Sequence, residues 1–368
     1  MRCSFRFFVF LVPLIVALPL RAEPETKPSL AATIETTLPT SGEQIRQFAF
    51  DGDEKTYFAS GKNATLRDHF TLVFDKPAAV YSLRVLTGRP DGRDQLDAAT
   101  LQVSADGKTF VEAATFRAGM IEIKLAGRMI QAVRIKPTRD LKYPLAIREI
   151  DLRSDPPVAI FKYPVEFVVD AREAPELKEW AEKAARICER QYPMINEELK
   201  DEHFRPPHRV PLRLQIMDGV AYTSGGRITV AAAHFKRRPH DVGALVHETV
   251  HVVQSYRLPG NPSWLVEGIA DYIRFFKYEP GKLGRIDPQR ARYDGSYRVT
   301  AAFLAYLTEK YDKQIVRKLN KMMREGEYHK EIFQQLTGKT LEQLNAEWRA
   351  TLGGSTSVQS LTAIASGP

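Results

Sequence analysis

Residues 244–253 read Ala-Leu-Val-His-Glu-Thr-Val-His-Val-Val, and this apolar stretch decides how the second half of the chain folds. Residues i and i+4 of an α-helix share one face, so a helix here directs the imidazoles of His247 and His251 at one point. Imidazole nitrogens are common Zn²⁺ ligands. Glu248 lies too far round the helix to join them, and we expect it to be the general base of a hydrolytic reaction.

A catalytic zinc site needs a third protein ligand and keeps one position open. Glu267 is the leading candidate, because it begins an amphipathic pattern over residues 267–276 that has Ser263 as its expected N-cap. Asp271 lies one turn further on the same face and can accept a hydrogen bond from the second ring nitrogen of a ligating histidine. A solvated helix face is the ordinary explanation of two such acids. Their combination with a histidine pair favours the zinc site.

Four stretches of this half resemble the basic secretory protein family of plant and bacterial zinc peptidases, over residues of about 160–352. They are residues 247–254, 264–274, 297–304 and 336–340. The resemblance implies an α+β zincin-like fold, a glutamate as third zinc ligand and hydrolysis of peptide bonds. It further implies that residues 225–231 are an edge strand, with which an extended substrate pairs along Gly226, Ile228 and Val230.

Tyr297 is the remaining catalytic candidate, because it begins the third of these stretches. A phenol there can donate a hydrogen bond to the oxyanion that develops during hydrolysis. Packing at the start of a helix is the alternative role for this ring, and Tyr293 and Tyr272 are rival candidates for the hydrogen bond.

The first half of the chain has a different pattern, in which short β-rich runs alternate with turns from about residue 30 to residue 153. Examples of the runs are residues 70–74, 81–86, 101–104 and 132–135, and Asp-Gly pairs mark the turns between them. This spacing predicts an all-β sandwich. Asp155-Pro156-Pro157 then forms a short, stiff connection to the second half.

Three stretches of this half, residues 49–60, 101–110 and 146–152, resemble the discoidin or coagulation-factor 5/8 C-terminal type of domain. The resemblance implies a galactose-binding-like jelly roll that attaches an extracellular enzyme to a carbohydrate or a cell surface. It also implies a structural cation where the first and last segments meet. Four residues there offer the oxygen ligands that Ca²⁺ prefers, namely Asp51, Asp53, Thr56 and Glu149. A simple turn at residues 51–53 is the alternative.

Composition and the first residues limit the classes of function. The chain has 368 residues, more than one core usually organises, which predicts two domains. Arg2 and Arg6 precede an apolar run over residues 7–20, so we expect a signal peptide cleaved after Ala22, and export to the periplasm, the cell surface or the medium. A membrane anchor is the alternative, although about 20 apolar residues are needed to span a bilayer.

The mature chain would carry 50 basic and 45 acidic residues, a net charge of +5, without a long basic run. Because no long Lys/Arg run has aromatic residues interleaved, nucleic acid is not an expected partner. With the signal peptide removed, we expect no membrane span in the mature chain. Cys188 is then the last remaining thiol, so we expect no internal disulfide.

Together these observations predict a signal peptide (1–22), a discoidin-like sandwich (30–155), a zincin-like peptidase domain (158–352) and a flexible tail (353–368). We expect a secreted zinc endopeptidase that acts on a protein or peptide substrate, and whose first domain binds a glycan or a surface ligand. The alternative is a non-catalytic extracellular binding protein that contains zinc and whose functional module is the sandwich.

Overall fold

A computed structural model describes residues 29–353 of the chain. The predicted signal peptide, and the predicted tail beyond residue 353, lie outside the described residues. Within residues 29–353, no helix combines the length and the apolar character that a bilayer crossing requires. The buried apolar side chains of this range form two separate cores, one within residues 32–150 and the other within residues 165–348.

The first core belongs to an antiparallel β-sandwich of seven strands. They are β1 (Ala32–Thr36), β2 (Phe58–Asn63), β3 (Phe70–Thr87), β4 (Ala99–Ser104), β5 (Val111–Thr115), β6 (Met120–Pro137) and β7 (Pro144–Asp155). A 3₁₀ turn at Arg46–Phe50 lies between β1 and β2. The sandwich prediction is therefore confirmed.

Two long strands join the layers of the sandwich. β3 and β6 have 18 residues each and pair along their length, with register shifts between Val73 and Ala78 and between Val80 and Ser82. The first part of β3 pairs with β1 and its second part with β7. Residues 70–74 and 81–86 are predicted as separate strands, but they form one strand, whose pairing with β6 shifts register around Pro77. Each long strand thus contributes to both layers.

The second domain consists of a four-stranded sheet and eight helices. Its strands are β8 (Glu166–Asp170), β9 (Arg209–Gln215), β10 (Ala221–Ser224) and β11 (Arg227–Ala231). Its helices are α1 (Lys178–Glu198), α2 (Ala232–Arg237), α3 (Val242–Gln254), α4 (Ser263–Ile273), α5 (Tyr297–Lys310), α6 (Ile315–Glu325), α7 (Ile332–Thr337) and α8 (Leu341–Gly353). A helix is predicted over residues 174–191, whereas α1 begins later and continues through Pro193.

The order of this sheet corrects one sequence prediction. The strands lie in the order β10-β11-β9-β8, so β11 is an inner strand and the expectation that residues 225–231 form the edge is wrong. Ile228 and Val230 are fully buried. The reason is the turn at Gly225 and Gly226, whose positive φ angles of 56° and 74° close a two-residue hairpin. The hairpin places β10 outside β11, and β10 forms the edge.

The two domains meet at a buried polar interface. Arg46 of the first domain donates hydrogen bonds to Glu189 (2.6 Å) and Glu166 (3.3 Å) of the second. The hydroxyl of Thr40 also donates to Glu166, at 2.6 Å, and the side-chain oxygen of Gln47 accepts from the backbone N–H of Val165, at 2.8 Å. Burial raises the pKa of Glu189, and the charge of Arg46 opposes that rise. The guanidinium therefore compensates two carboxylates that are withdrawn from water.

Candidate metal centre

Two helices meet to form the site. α3 is buried along most of its length, because the apolar residues around its histidines pack against α1, the sheet and α4. α4 begins at Ser263, which is its first helical residue and makes no capping bond, so the N-cap prediction is wrong. The carbonyl of Pro262 instead accepts from the first free N–H groups, those of Leu265 (3.0 Å) and Val266 (3.1 Å).

The structure brings the three predicted zinc ligands together. His247 Nε2 lies 3.1 Å from Glu267 Oε2 and 3.2 Å from His251 Nε2. His251 Nε2 lies 3.4 Å from the same oxygen of Glu267. Among residues 29–353, these side chains form the single group of three or more His, Cys, Asp and Glu residues whose ligand atoms converge within 4.8 Å.

This triangle of atoms fits a tetrahedral zinc ion. Ligands at about 2.0–2.1 Å from such an ion lie about 3.3–3.4 Å from one another, close to the three separations in the structure. The donor set of two imidazoles and one carboxylate is also a combination found in catalytic zinc sites, in which the fourth position stays open. The side chains present therefore fit Zn²⁺ in both spacing and chemistry.

Two neighbours fix the orientation of the histidine rings. Asp271 Oδ1 lies 2.7 Å from His247 Nδ1, and Gln254 Oε1 lies 2.7 Å from His251 Nδ1. Gln254 uses its amide nitrogen to donate to the Val266 carbonyl at 2.9 Å, which leaves its oxygen to accept. Each Nδ1 atom can therefore donate a hydrogen bond to its neighbour, and each Nε2 atom is directed toward Glu267.

The pKa values of His247 and Glu267 are shifted in opposite directions. Burial favours the neutral form of His247, but its hydrogen bonds with Asp271 and Glu267 outweigh burial and raise its pKa to about 9. Burial also favours the neutral acid of Glu267, but hydrogen bonds with the two histidines lower its pKa to about 2.

Glu248 stands beside the ligands and is held by the edge strand. The hydroxyl of Thr223 on β10 donates to Glu248 Oε2 at 2.8 Å and to the Glu248 carbonyl at 3.0 Å. Glu248 is buried, yet it borders the cleft. The carboxylate is therefore oriented by the edge strand of the sheet.

The cleft consists of two cavities that meet at the centre. The first, of about 810 Å³, reaches the hairpin turn at Gly225 and Gly226, and we name it the turn cavity. The second, of about 580 Å³, begins at Val220 and is bordered by Arg238 and Arg298; we name it the arginine cavity. His247, Glu248 and Tyr297 line both cavities, so an extended chain can cross the centre from one cavity to the other.

Tyr297 is the one of the three candidate tyrosines that borders this cleft. It is the first residue of α5, and its ring is half exposed. Tyr272 is buried and stacks with Phe276, while Tyr293 packs against Trp264 and Phe303 away from the metal centre. By its position, Tyr297 is therefore a better candidate than Tyr272 or Tyr293 for the hydrogen bond to the oxyanion.

The roles of Thr223 and Gln254 are missing from the sequence predictions. Gln254 lies three residues after His251, on the same helix, so helical spacing alone could have indicated it as a partner of that ring. No comparable signal exists for Thr223, because it lies 25 residues from Glu248 and the contact depends on how the hairpin packs on α3.

The predicted calcium ligands of the first domain lie near one another, but their oxygen atoms do not converge on one point as the ligand atoms of the metal centre do. The hydroxyl of Thr56 donates to Asp51 at 2.8 Å, and Glu149 Oε2 accepts from Gly52 N–H at 3.0 Å. The Asp53 side chain turns to its own loop and accepts from the backbone N–H of Lys55 at 3.0 Å. Burial, together with Asp51 and Asp151, raises the pKa of Glu149 to about 8. Calcium binding here stays a prediction.

Residues 168–348 match the model of the basic secretory protein family, described as peptidases of plants and bacteria. The second domain is therefore similar to this peptidase family. The match spans α1 to α8 and includes all three predicted zinc ligands, Glu248 and Tyr297. No curated protein sequence matches the chain.

Solved structures similar to the chain cover about its first third. They include the CBM32-1 module of a family 31 glycoside hydrolase from Clostridium perfringens, at 20% identity, with 33% of this chain and 92% of that one covered and a TM-score of 0.29. A chitosan-binding module from Paenibacillus has 19% identity, coverage of 34% and 96%, and a TM-score of 0.28. A fucose-binding module from Streptococcus pneumoniae has 14% identity, coverage of 33% and 92%, and a TM-score of 0.29.

Proposed function

We propose that this chain is an exported zinc-dependent endopeptidase whose active centre is formed by α3, α4 and the edge strand β10. The observation that carries the proposal is the convergence of His247, His251 and Glu267, with Glu248 beside them in a cleft. A structural zinc site would be closed by four protein ligands, whereas three ligands beside an open cleft are typical of a catalytic one.

In this proposal the three ligands hold Zn²⁺, which when bound supplies a Lewis acid that polarises the substrate carbonyl and makes a water molecule more acidic. Glu248 accepts the proton of the attacking water and then delivers it to the leaving amine. Thr223 orients Glu248 through its hydroxyl. Asp271 and Gln254 hold the histidine rings, so that little reorganisation is needed during turnover.

Tyr297 is proposed to donate a hydrogen bond to the oxyanion. Its position on both cavities supports this role, and its exposure leaves the phenol free to approach a bound peptide. The substrate backbone would pair with the outer edge of β10, in place of the strand expected from the sequence.

The first domain is proposed to bind a glycan or another surface ligand and thereby to hold the enzyme near its substrate. The sandwich fold and the buried interface at Arg46 support such a tethering role, since the interface would keep the two domains together. Export is proposed from the first 22 residues, whose charged start and apolar run are typical of a signal peptide.

The decisive experiment compares the mature chain with its Glu248→Gln variant. We expect both proteins to bind one zinc ion per chain by metal analysis, because Glu248 is not a ligand. We expect the variant to lose hydrolysis of a peptide library by about 100-fold or more, the range for loss of an acid–base catalyst. Zinc removal and add-back should abolish and restore the activity of the unmodified chain. A variant that retains full activity would contradict the role of Glu248, and a mature chain that binds zinc but cuts no peptide would favour a non-catalytic binding protein.

A further inference from the structure

The arginine cavity lies on a defined side of the metal centre. Ala221, Tyr222 and Thr223 of β10 line the turn cavity, whereas Val220, directly before the strand, lines the arginine cavity. β10 therefore begins beside the arginine cavity and ends at the glycine turn. A peptide that pairs antiparallel with β10 runs in the opposite direction, and antiparallel pairs are the more stable per residue. Residues after the scissile bond would then enter the arginine cavity.

Most charges around this cavity are already paired. The Arg274 guanidinium donates to Asp241 at 2.7 Å and to Glu279 at 2.6 Å, so its charge is compensated by two carboxylates. Lys282 lies 3.3 Å from Glu279 as well. On the wall near the metal, Asp271 is engaged by His247. These groups make a structural network and leave little charge for a ligand.

Two cationic side chains on the rim differ from this network. Within residues 29–353, neither Arg238 nor Arg298 forms an ion pair with a carboxylate. Arg298 follows Tyr297 directly and is placed over the ring of Phe275, with 4.8 Å between its guanidinium carbon and the ring centroid. Contact with an aromatic face restrains a guanidinium and leaves its edge N–H donors available.

We propose that Arg298, assisted by Arg238, binds a substrate carboxylate on the carboxyl side of the scissile bond and so determines the specificity of the peptidase. The inference rests on the proposed function and adds the class of substrate to it. The carboxylate can come from an Asp or Glu side chain or from the free carboxyl terminus of a peptide, because a guanidinium binds either in the same two-point manner.

The test uses the mature, zinc-loaded chain and a peptide that it cleaves, with the cut site located by mass spectrometry. Versions of that peptide carry Glu, Gln or Lys at the first and second positions after the cut, each with an amidated carboxyl terminus. A second pair, with Gln at both positions and a short carboxyl-side segment, differs only in a free or an amidated terminus. In each set, the ratio of kcat/KM between the peptide with the carboxylate and its neutral counterpart measures the preference for a carboxylate. The first set tests a side-chain carboxylate, and the second tests a terminal one.

In one of the two sets, we expect the peptide with the carboxylate to have a kcat/KM about 10- to 100-fold higher than its neutral counterpart. This is the range for one or two charge-assisted hydrogen bonds. Arg298→Gln should reduce this ratio to near one, mainly through KM, and leave zinc content unchanged. Arg237→Gln is the matched control, since Arg237 is exposed, adjoins Arg238 and does not line the cavity. It should keep the full preference.

Equal kcat/KM values within both sets would overturn the inference and leave the proposed peptidase standing. A preference that survives in the Arg298→Gln, Arg238→Gln double variant would overturn it too, because the carboxylate would then be bound elsewhere. If the zinc-loaded chain cuts no peptide, the proposed function fails and the inference fails with it.

Discussion

Glu149 in the sandwich and Glu267 in the second domain are both carboxylates withdrawn from solvent, but their neighbours differ in charge. Burial and two further acids, Asp51 and Asp151, raise the pKa of Glu149 to about 8. Burial acts on Glu267 in the same direction, yet hydrogen bonds with His247 and His251 lower its pKa to about 2. One environment disfavours the ionised acid, and the other stabilises it.

The difference comes from the elements that carry the ligands. In the second domain, two packed helices fix three donor atoms from opposite sides, and Asp271 and Gln254 hold the rings that face Glu267. In the first domain the acids lie on a turn and on a strand, and one of them, Asp53, points back to its own loop. Proximity of acids is thus a weaker indication of a metal site than convergence of supported donors.

Neutralising each glutamate in turn should have opposite consequences in the two domains. Glu267→Gln should abolish retention of zinc after dialysis and with it peptide hydrolysis, because it removes one of three ligands of a site that needs all of them. Glu149→Gln keeps the shape of the side chain and its acceptor for the Gly52 N–H group. It should leave zinc content and kcat/KM unchanged.

Metal analysis and peptide hydrolysis of both variants measure this difference. Retention of one zinc ion per chain by the Glu267→Gln protein would show that the ion binds elsewhere. Loss of zinc from the Glu149→Gln protein would instead show that the two domains depend on each other for metal binding.

A second prediction concerns the interface between the two regions. Arg46→Met removes the guanidinium that Glu166 and Glu189 share, and leaves Glu189 with Arg186, at 3.0 Å, as its remaining ion-pair partner. We expect the free energy of unfolding to fall by about 3 kcal/mol, the lower end of the range for breaking a buried pair. Arg190→Met is the matched control, because Arg190 pairs with Asp75 across the same interface but is about half exposed. That variant should lose less than about 1 kcal/mol, since exposed ion pairs contribute little.

Urea denaturation followed by fluorescence and by circular dichroism gives both values. Equal losses in the two variants would show that the buried network at Arg46 has no special part in holding the domains together.

The extent to which the sequence predicts this molecule differs between local and long-range features. Helical spacing alone places His247 and His251 on one face, and the alternation of residues 70–74 and 101–104 indicates the sandwich strands. These signals depend on neighbours within a few residues, so they survive without knowledge of the fold.

Features that depend on contacts between distant residues cannot be predicted from such local signals. The edge position of β10 follows from how the hairpin at Gly225 folds back on β11, and a strand prediction does not say which strand lies outside. The Arg46 network joins residues 120 and 143 positions apart, for which the chain offers no periodic signal. Thr223 and its contact with Glu248 belong to the same class.

The smallest expected effect concerns the support of the metal ligands. Asp271→Asn keeps an oxygen that can accept from His247 Nδ1 but removes the negative charge beside the ring. The imidazole then becomes a weaker donor to the metal, and we expect the dissociation constant for zinc to rise by about 10- to 100-fold. Competition with a chromogenic chelator measures this constant independently of catalysis.

Asp287→Asn provides the control, because Asp287 is an exposed acid of the same domain that has no contact with the metal ligands. Its side chain accepts from the backbone N–H group of Gln289 at 2.9 Å and lies 3.9 Å from the exposed Arg290. Its zinc affinity should match that of the unmodified chain. An Asp271→Asn protein with unchanged affinity would mean that the charge of this acid does not reach the ion through His247. In that case residue 271 would contribute to zinc affinity only by holding the ring of His247 in position, which an asparagine can do as well as an aspartate. An uncharged amide oxygen would then be enough to support each of the two histidines.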